Sequence, residues 1–125
     1  MTSPLEDACV AIIDDDESFC RSSCRLLRAA GFRPVSFVSA EEYFADPGRQ
    51  RFSCLLVDIQ LGRMSGLDLQ RRLITDGDPT PVIFITAHDD PAARAEALRN
   101  GCAGFFRKTD DGARILKALR DAVPA

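Results

Sequence analysis

Apolar and polar positions alternate along this chain in two textures. Residues 9–13, 34–38, 53–57, 82–85 and 103–107 are short, largely apolar runs rich in β-branched or aromatic side chains. Each is too short for a helix and reads as a strand with little exposed face. Between them the apolar residues spread out to helical spacing. Residues 17–30 place Phe19, Ser22, Ser23, Leu26, Leu27 and Ala30 on one predicted face, and Gly31 is a natural stop. Ser39 with Glu42 three residues on forms a capping-box pattern for a short helix to about residue 45, and Asp46-Pro47-Gly48 is a turn. Residues 66–75 carry Leu69 and Leu73 four apart, before Asp76-Gly77-Asp78-Pro79 breaks the pattern. Asp90-Pro91 opens an Ala-rich helix to about residue 99, and Asn100-Gly101 closes it. Asp111 starts a last helix to about residue 122, with Ile115 and Leu119 inward.

Strand and helix thus alternate five times. That pattern predicts a doubly wound α/β domain, a parallel sheet covered on both faces. In such open sheets ligands bind outside the carboxyl ends of the strands. The residues at those ends are Asp14 and Asp15, Asp58, Thr86 and Lys108.

Alone, each of these is weak evidence. An acid ending a strand commonly caps a helix, a single lysine there is usually solvated, and a threonine is often structural. As a set they are specific. Three carboxylates in one crevice repel each other. A hard divalent cation relieves this, and Mg²⁺ suits a few carboxylates, a carbonyl and water. Metal, ammonium and hydroxyl around one carboxylate are what phosphoryl transfer requires, since it rests on positioning and charge neutralisation. A carboxylate can itself be the nucleophile and form an acyl phosphate. The predicted site therefore has Asp58 as nucleophile, Asp14 and Asp15 on the metal, and Lys108 and Thr86 on the phosphoryl oxygens. The small Ala87 leaves room beside them.

Composition narrows the picture without redirecting it. A chain of 125 residues, 46% apolar and 28% charged, is expected to be one domain over 1–125 with a real core at about 9–123. The net charge of −3 argues against direct nucleic-acid binding. No apolar run approaches the roughly 18 residues of a membrane span, and residues 1–7 lack the parts of a signal peptide. A cytoplasmic address is expected. Of five cysteines, Cys9, Cys54 and Cys102 sit in or beside apolar runs and read as reduced small hydrophobes. Cys20 and Cys24 are four apart on a predicted helix, but the single histidine, His88, is remote in sequence, so a zinc site is not expected.

The motifs Ile12-Ile13-Asp14-Asp15-Asp16, Leu56-Val57-Asp58, Met64-Ser65-Gly66, Ile85-Thr86-Ala87 and Phe106-Arg107-Lys108 resemble the receiver domain of two-component response regulators, the CheY-like family. They are closest to the branch that precedes helix-turn-helix output domains. The resemblance spans about residues 9–123 and implies a flavodoxin-like sheet in the order 2-1-3-4-5. It implies that Asp58 is the phospho-acceptor, Asp15 a direct metal ligand and Asp14 an acid acting through metal-bound water. Gln60 would supply a backbone carbonyl to the metal. Thr86 and Lys108 match the family's hydroxyl and lysine, and Phe105 the aromatic that changes rotamer on activation. The implied cofactor is Mg²⁺ and the implied donor a sensor histidine kinase. The implied readout is the face made by the fourth helix, fifth strand and fifth helix, which would also carry a homodimer. If the parent chain is longer, a DNA-binding output domain is expected.

The sequence departs from that pattern in two places. Gly62 stands where the loop after the acceptor usually has proline, which widens its conformational range. Thr109 follows Lys108 where the family usually has a cis-linked proline. A non-proline cis bond costs roughly 2.5–4 kcal/mol, so a trans Lys108–Thr109 bond is expected, and Asp110 then replaces an apolar residue. His88 and Gln60 flank the site, and His88 reads first as an exposed loop residue. Phe105 lacks the hydroxyl of the commoner tyrosine, so any switching would be by burial alone. The expected function is a phosphorylation-dependent signalling switch rather than a turnover enzyme. An unphosphorylated, receiver-shaped scaffold is the alternative. A haloacid-dehalogenase-type phosphatase ranks last, because Gln60 occupies the place of its second acid.

Overall fold

In the computed structural model, which describes residues 8–123, the five alternations become five parallel strands and five helices. In chain order these are β1 (Cys9–Ile13), α1 (Glu17–Ala29), β2 (Arg33–Phe37), α2 (Ala40–Ala45), β3 (Phe52–Asp58), α3 (Gly66–Thr75), β4 (Val82–Thr86), α4 (Pro91–Arg99), β5 (Gly104–Arg107) and α5 (Gly112–Ala122). A short 3₁₀ turn, Arg49–Arg51, precedes β3. The sheet order is β2-β1-β3-β4-β5, all parallel, as expected. The readings made on residues 1–7 and on the chain end at Ala125 lie outside the described residues.

Side chains alternate across each strand, and this sorts the core into two halves. Val10, Ile12, Cys54, Leu56, Ile83 and Ile85 meet Cys20 and Leu27 of α1 and Ile115 and Leu119 of α5. Ala11, Ile13, Leu55, Val57 and Phe84 meet α2, α3 and α4 through Tyr43, Leu69, Leu73, Ala93 and Ala97. The three central strands are buried on both faces, which is why their sequences read as unbroken apolar runs.

Two local expectations are corrected. On α1 the expected Ser23 and Leu27 are buried, and Phe19, Leu26 and Ala30 pack against the core half-buried, but Ser22 is exposed and Cys20, which was not expected there, is buried. The Cys20 thiol packs there because it is a small hydrophobe that fits flush against a sheet. At α2, the Ser39 hydroxyl accepts the Glu42 N–H at 3.0 Å, but Glu42 Oε2 accepts the Val38 N–H at 3.1 Å rather than that of Ser39. The reciprocal capping box is at α3, where Ser65 Oγ accepts the Asp68 N–H at 3.1 Å and Asp68 Oδ2 accepts the Ser65 N–H at 3.1 Å.

The Glu42 contact also protects a sheet edge. Arg33 donates its N–H to Ala8 and Phe37 accepts from Asp14, so these residues turn their backbone toward β1. Pro34, Ser36 and Val38 turn theirs outward. Pro34 has no N–H and that of Val38 is taken by Glu42, so β2 offers little to a further strand.

Candidate functional site

Register brings the acids together. Ile13 pairs with Val57 across β1 and β3, so the next residues, Asp14 and Asp58, leave adjacent strands at one level. The run Asp14-Asp15-Asp16 then divides into three roles. Asp14 is buried, and its Oδ1 accepts the Asp16 N–H at 2.9 Å. Asp15 is exposed. Asp16 caps α1 by accepting the Phe19 N–H at 3.1 Å.

Asp58 is buried at the tip of β3, and its Oδ1 accepts the Gln60 N–H at 2.9 Å, turning the chain out of the strand. The chain returns at Gly66, whose N–H donates to the Ile59 carbonyl at 3.0 Å. A Cβ on Gly66 would lie 2.5 Å from the Asp58 carbonyl oxygen and 2.9 Å from Ile59 Cα. Only glycine permits this approach of α3 to the acid-bearing strand. Gly62, where the loop was expected to be unusual, has nothing within 4 Å of such a Cβ.

Lys108 completes the cluster. Its Nζ lies 2.8 Å from Asp14 Oδ2 and 3.2 Å from Asp58 Oδ2. The ammonium sits over the Phe19 ring, 4.6 Å from its centroid. The Lys108 N–H donates to the Thr86 carbonyl at 2.8 Å, which fixes this loop to the tip of β4. The described residues contain no cis peptide bond, so Lys108–Thr109 is trans. Asp110 closes the turn in proline's place: its Oδ2 accepts the Arg107 N–H at 2.9 Å, and its own N–H donates to the Arg107 carbonyl at 3.0 Å.

Thr86 is buried, and its hydroxyl donates to the His88 carbonyl at 2.8 Å. Phe105 is half-buried and packs toward the core, 6.2 Å from the Phe84 ring. The side chains of Gln60 and His88 are exposed. Phe19 was expected only as a helix-face residue, Gly66 only as part of a motif, and Asp110 only as a departure in packing. Their parts in the site are contacts with residues distant along the chain.

Burial raises the Asp14 carboxyl above its ordinary range, opposed by the Lys108 hydrogen bond and the Asp16 N–H and reinforced by the Asp58 charge. For Lys108, burial acts to lower the ammonium, but the bonds and charges of Asp14 and Asp58 outweigh it and hold the group above its ordinary value. The one ammonium thus pairs with two of the three acids at these strand ends, Asp14 and Asp58. Asp14, Asp15 and Asp58 each bring a carboxylate oxygen within 4.8 Å of the others. This all-oxygen, net-negative donor set fits a hard divalent cation.

The sequence model of the response regulator receiver domain matches residues 10–120. The chain belongs to this family. Response regulator protein TmoT of Ectopseudomonas mendocina is 34% identical over 118 residues, covering 94% of this chain and 54% of the relative. Transcriptional regulatory protein FixJ of Bradyrhizobium diazoefficiens is 33% identical over 121 residues, covering 93% and 58%. The chain therefore spans about half the length of the curated relatives it matches. Among solved structures, response regulator StyR superposes with a TM-score of 0.86 at 31% identity, covering 94% of this chain and 59% of that one. FixJ-N superposes with a TM-score of 0.83 at 29% identity, covering 96% and 98%. No helix among the described residues is long and apolar enough to cross a membrane.

Proposed function

We propose that this receiver domain is a switch driven by phosphorylation of Asp58. The observation that carries this reading is Lys108 Nζ bridging Asp14 and Asp58 at 2.8 and 3.2 Å, beside the oxygen set completed by Asp15. A carboxylate oxygen of Asp58 attacks the phosphorus of a phosphohistidine on a sensor histidine kinase. The O–P bond forms, the P–N bond breaks, and its electron pair returns to the imidazole. Lys108 is within reach to hold charge on the transferred group. Asp14, Asp15, Asp58 and the Gln60 carbonyl would hold Mg²⁺. When bound, the ion supplies neutralising charge at the phosphoryl oxygens.

Thr86 spends its hydroxyl on the His88 carbonyl and would exchange that partner for a phosphoryl oxygen. Phe105, on β5 between α4 and α5, would move with it. The changed surface is then the α4-β5-α5 face, where Leu98 is exposed. A local charge change would thereby bias a remote surface. That face would bind a second copy or an output domain, DNA-binding in a longer parent, while residues 1–125 form one receiver domain acting in the cytoplasm.

Intact-mass measurement with Mg²⁺ and a small-molecule phosphodonor tests the reading. One added phosphoryl group is expected in the wild type. None is expected in Asp58→Asn or with chelator present. A wild type that no donor modifies would leave the interaction scaffold as the better description.

A further inference from the structure

A groove of about 540 Å³ lies away from Asp58, between α1 and the edge strand β2, and is lined by Arg21, Arg25 and Arg28. These arginines are spaced four and three residues apart, so they form one stripe about 10 Å long on α1. All three are exposed. Among the described residues no ion pair joins any of them to an acid, as is also true of the scattered Arg63, Arg94, Arg99 and Arg120, but only these three stand in one stripe along a groove. Like charges at this spacing repel and weaken a helix. The stripe is therefore an arrangement that a bound anion would stabilise.

The walls beside it are neutral. Cys20 is buried against the core, and burial raises the Cys24 thiol, so it stays protonated near neutral pH. Val38, also in the lining, is 50% exposed. The one acid in the lining is Glu17, in the first turn of α1, where it favours the helix dipole. The groove thus combines a net positive stripe with an apolar strip. Its β2 wall has little free backbone for strand pairing, so recognition there falls to side chains.

We propose that this groove docks an acidic amphipathic segment of another protein. Carboxylates at helical spacing would meet the forks of Arg21, Arg25 and Arg28, and an apolar side chain would cover Val38 and Cys24. Arginine forks match carboxylates in paired hydrogen bonds. Nucleic acid, the other polyanion, fits less well, because a phosphate backbone has no apolar side chain to cover Val38 and Cys24 and the lining holds no aromatic ring for a base to stack on. The groove occupies a different flank of α1 from the one carrying Phe19 and Leu26, which faces Lys108 and α5. An occupant need not cover Asp58, so the inference stands independently of the phosphorylation reading.

The test uses the whole 125-residue chain, isotope-labelled for NMR, with a helical peptide of repeated Leu-Glu-Glu-Leu as probe and single-stranded oligothymidylate as the second arm. The peptide is expected to shift the amides of residues 21–28, Ser36 and Val38. Binding should weaken roughly tenfold or more in R21E/R25E/R28E, with a smaller graded loss in Arg25→Gln. The substituted side chains are exposed, and circular dichroism verifies that the fold persists. Absence of shifts at the groove, unchanged binding in both variants, or oligothymidylate binding as tightly at the same amides would each overturn the proposal.

Discussion

Lys108 lies closer to Asp14 than to Asp58, at 2.8 Å against 3.2 Å. The buried acid at the end of β1 therefore holds the lysine at the height of the β3 tip, within reach of whatever Asp58 carries. Asp14 is in turn fixed by the Asp16 N–H and by its own backbone bond to Phe37. A chain of contacts from the β2 edge to the β5 loop thus converges on one ammonium.

Removing that ammonium should be costly. Lys108→Met leaves the buried Asp14 and Asp58 carboxylates facing each other without compensation. Urea unfolding at neutral pH, with chelator present, is expected to show a loss of about 1–3 kcal/mol, below the figure for fully buried pairs because the site is open on one side. Millimolar Mg²⁺ should recover part of the loss. A variant as stable as wild type would mean that the bridge contributes no net stability.

The acids should differ from the surrounding surface in metal affinity. Asp15→Asn and Asp58→Asn are each expected to weaken Mg²⁺ binding by about tenfold or more, since a hard cation depends on charged oxygen donors. Isothermal titration calorimetry reads this directly. Asp121→Asn, whose ion pair among the described residues is with the exposed Lys117 of α5, should leave the affinity unchanged.

Two glycines in the same loop should behave oppositely. Gly66→Ala drives a methyl into backbone atoms of Asp58 and Ile59 that cannot swing aside, with an expected cost of about 1–3 kcal/mol. It should also slow phosphoryl uptake, because the strand tip must shift. Gly62→Ala meets nothing within 4 Å and should stay within about 0.5 kcal/mol of wild type. Thermal melts of the two side by side decide the point.

The capping box of α3 can be measured in the same way. Ser65→Ala removes the acceptor for the Asp68 N–H and is expected to lose about 1 kcal/mol in chemical denaturation. Ser65→Asp keeps an acceptor and should recover most of it.

Alkaline pH should weaken the fold. Burial pushes the Cys54 thiol up to about 12, the Cys20 thiol up to about 11 and the Tyr43 hydroxyl up to about 12. Above the ordinary values of these groups the unfolded chain releases protons that the folded chain retains. It then binds fewer protons, so unfolding free energy falls as pH rises. The decline is expected from about pH 9 to about 12. It should be shallower in Cys54→Ala, with slope rather than absolute stability as the readout.

Much of the domain was legible in the order of its residues. Unbroken apolar runs mark the strands because the central strands are buried on both faces. The strand-tip acids, Thr86 and Lys108 stood out because a parallel sheet sends every carboxyl end to one side. Asp90 was read as the cap of α4, and its Oδ1 accepts the Ala93 N–H at 3.0 Å. On the inward face of α1 Cys20 was missed and Ser22 wrongly included, because a cysteine looks chemical in sequence and packs as a small hydrophobe in the fold. Glu42 was paired with the wrong N–H, since one residue's difference in reach decides which donor it meets.

By itself the sequence determined the alternation of strands and helices and the set of side chains at the strand tips. Periodicity and strand-end chemistry are local properties of a chain. Only the tertiary structure decided how those side chains share their charges. Asp14 and Lys108 are far apart in sequence, and their meeting at Asp58 depends on strand register and on the loop after β5 that Asp110 closes. Differences of a few tenths of an ångström in the distances between residues brought together from different strands are set by packing, and local pattern carries no record of them.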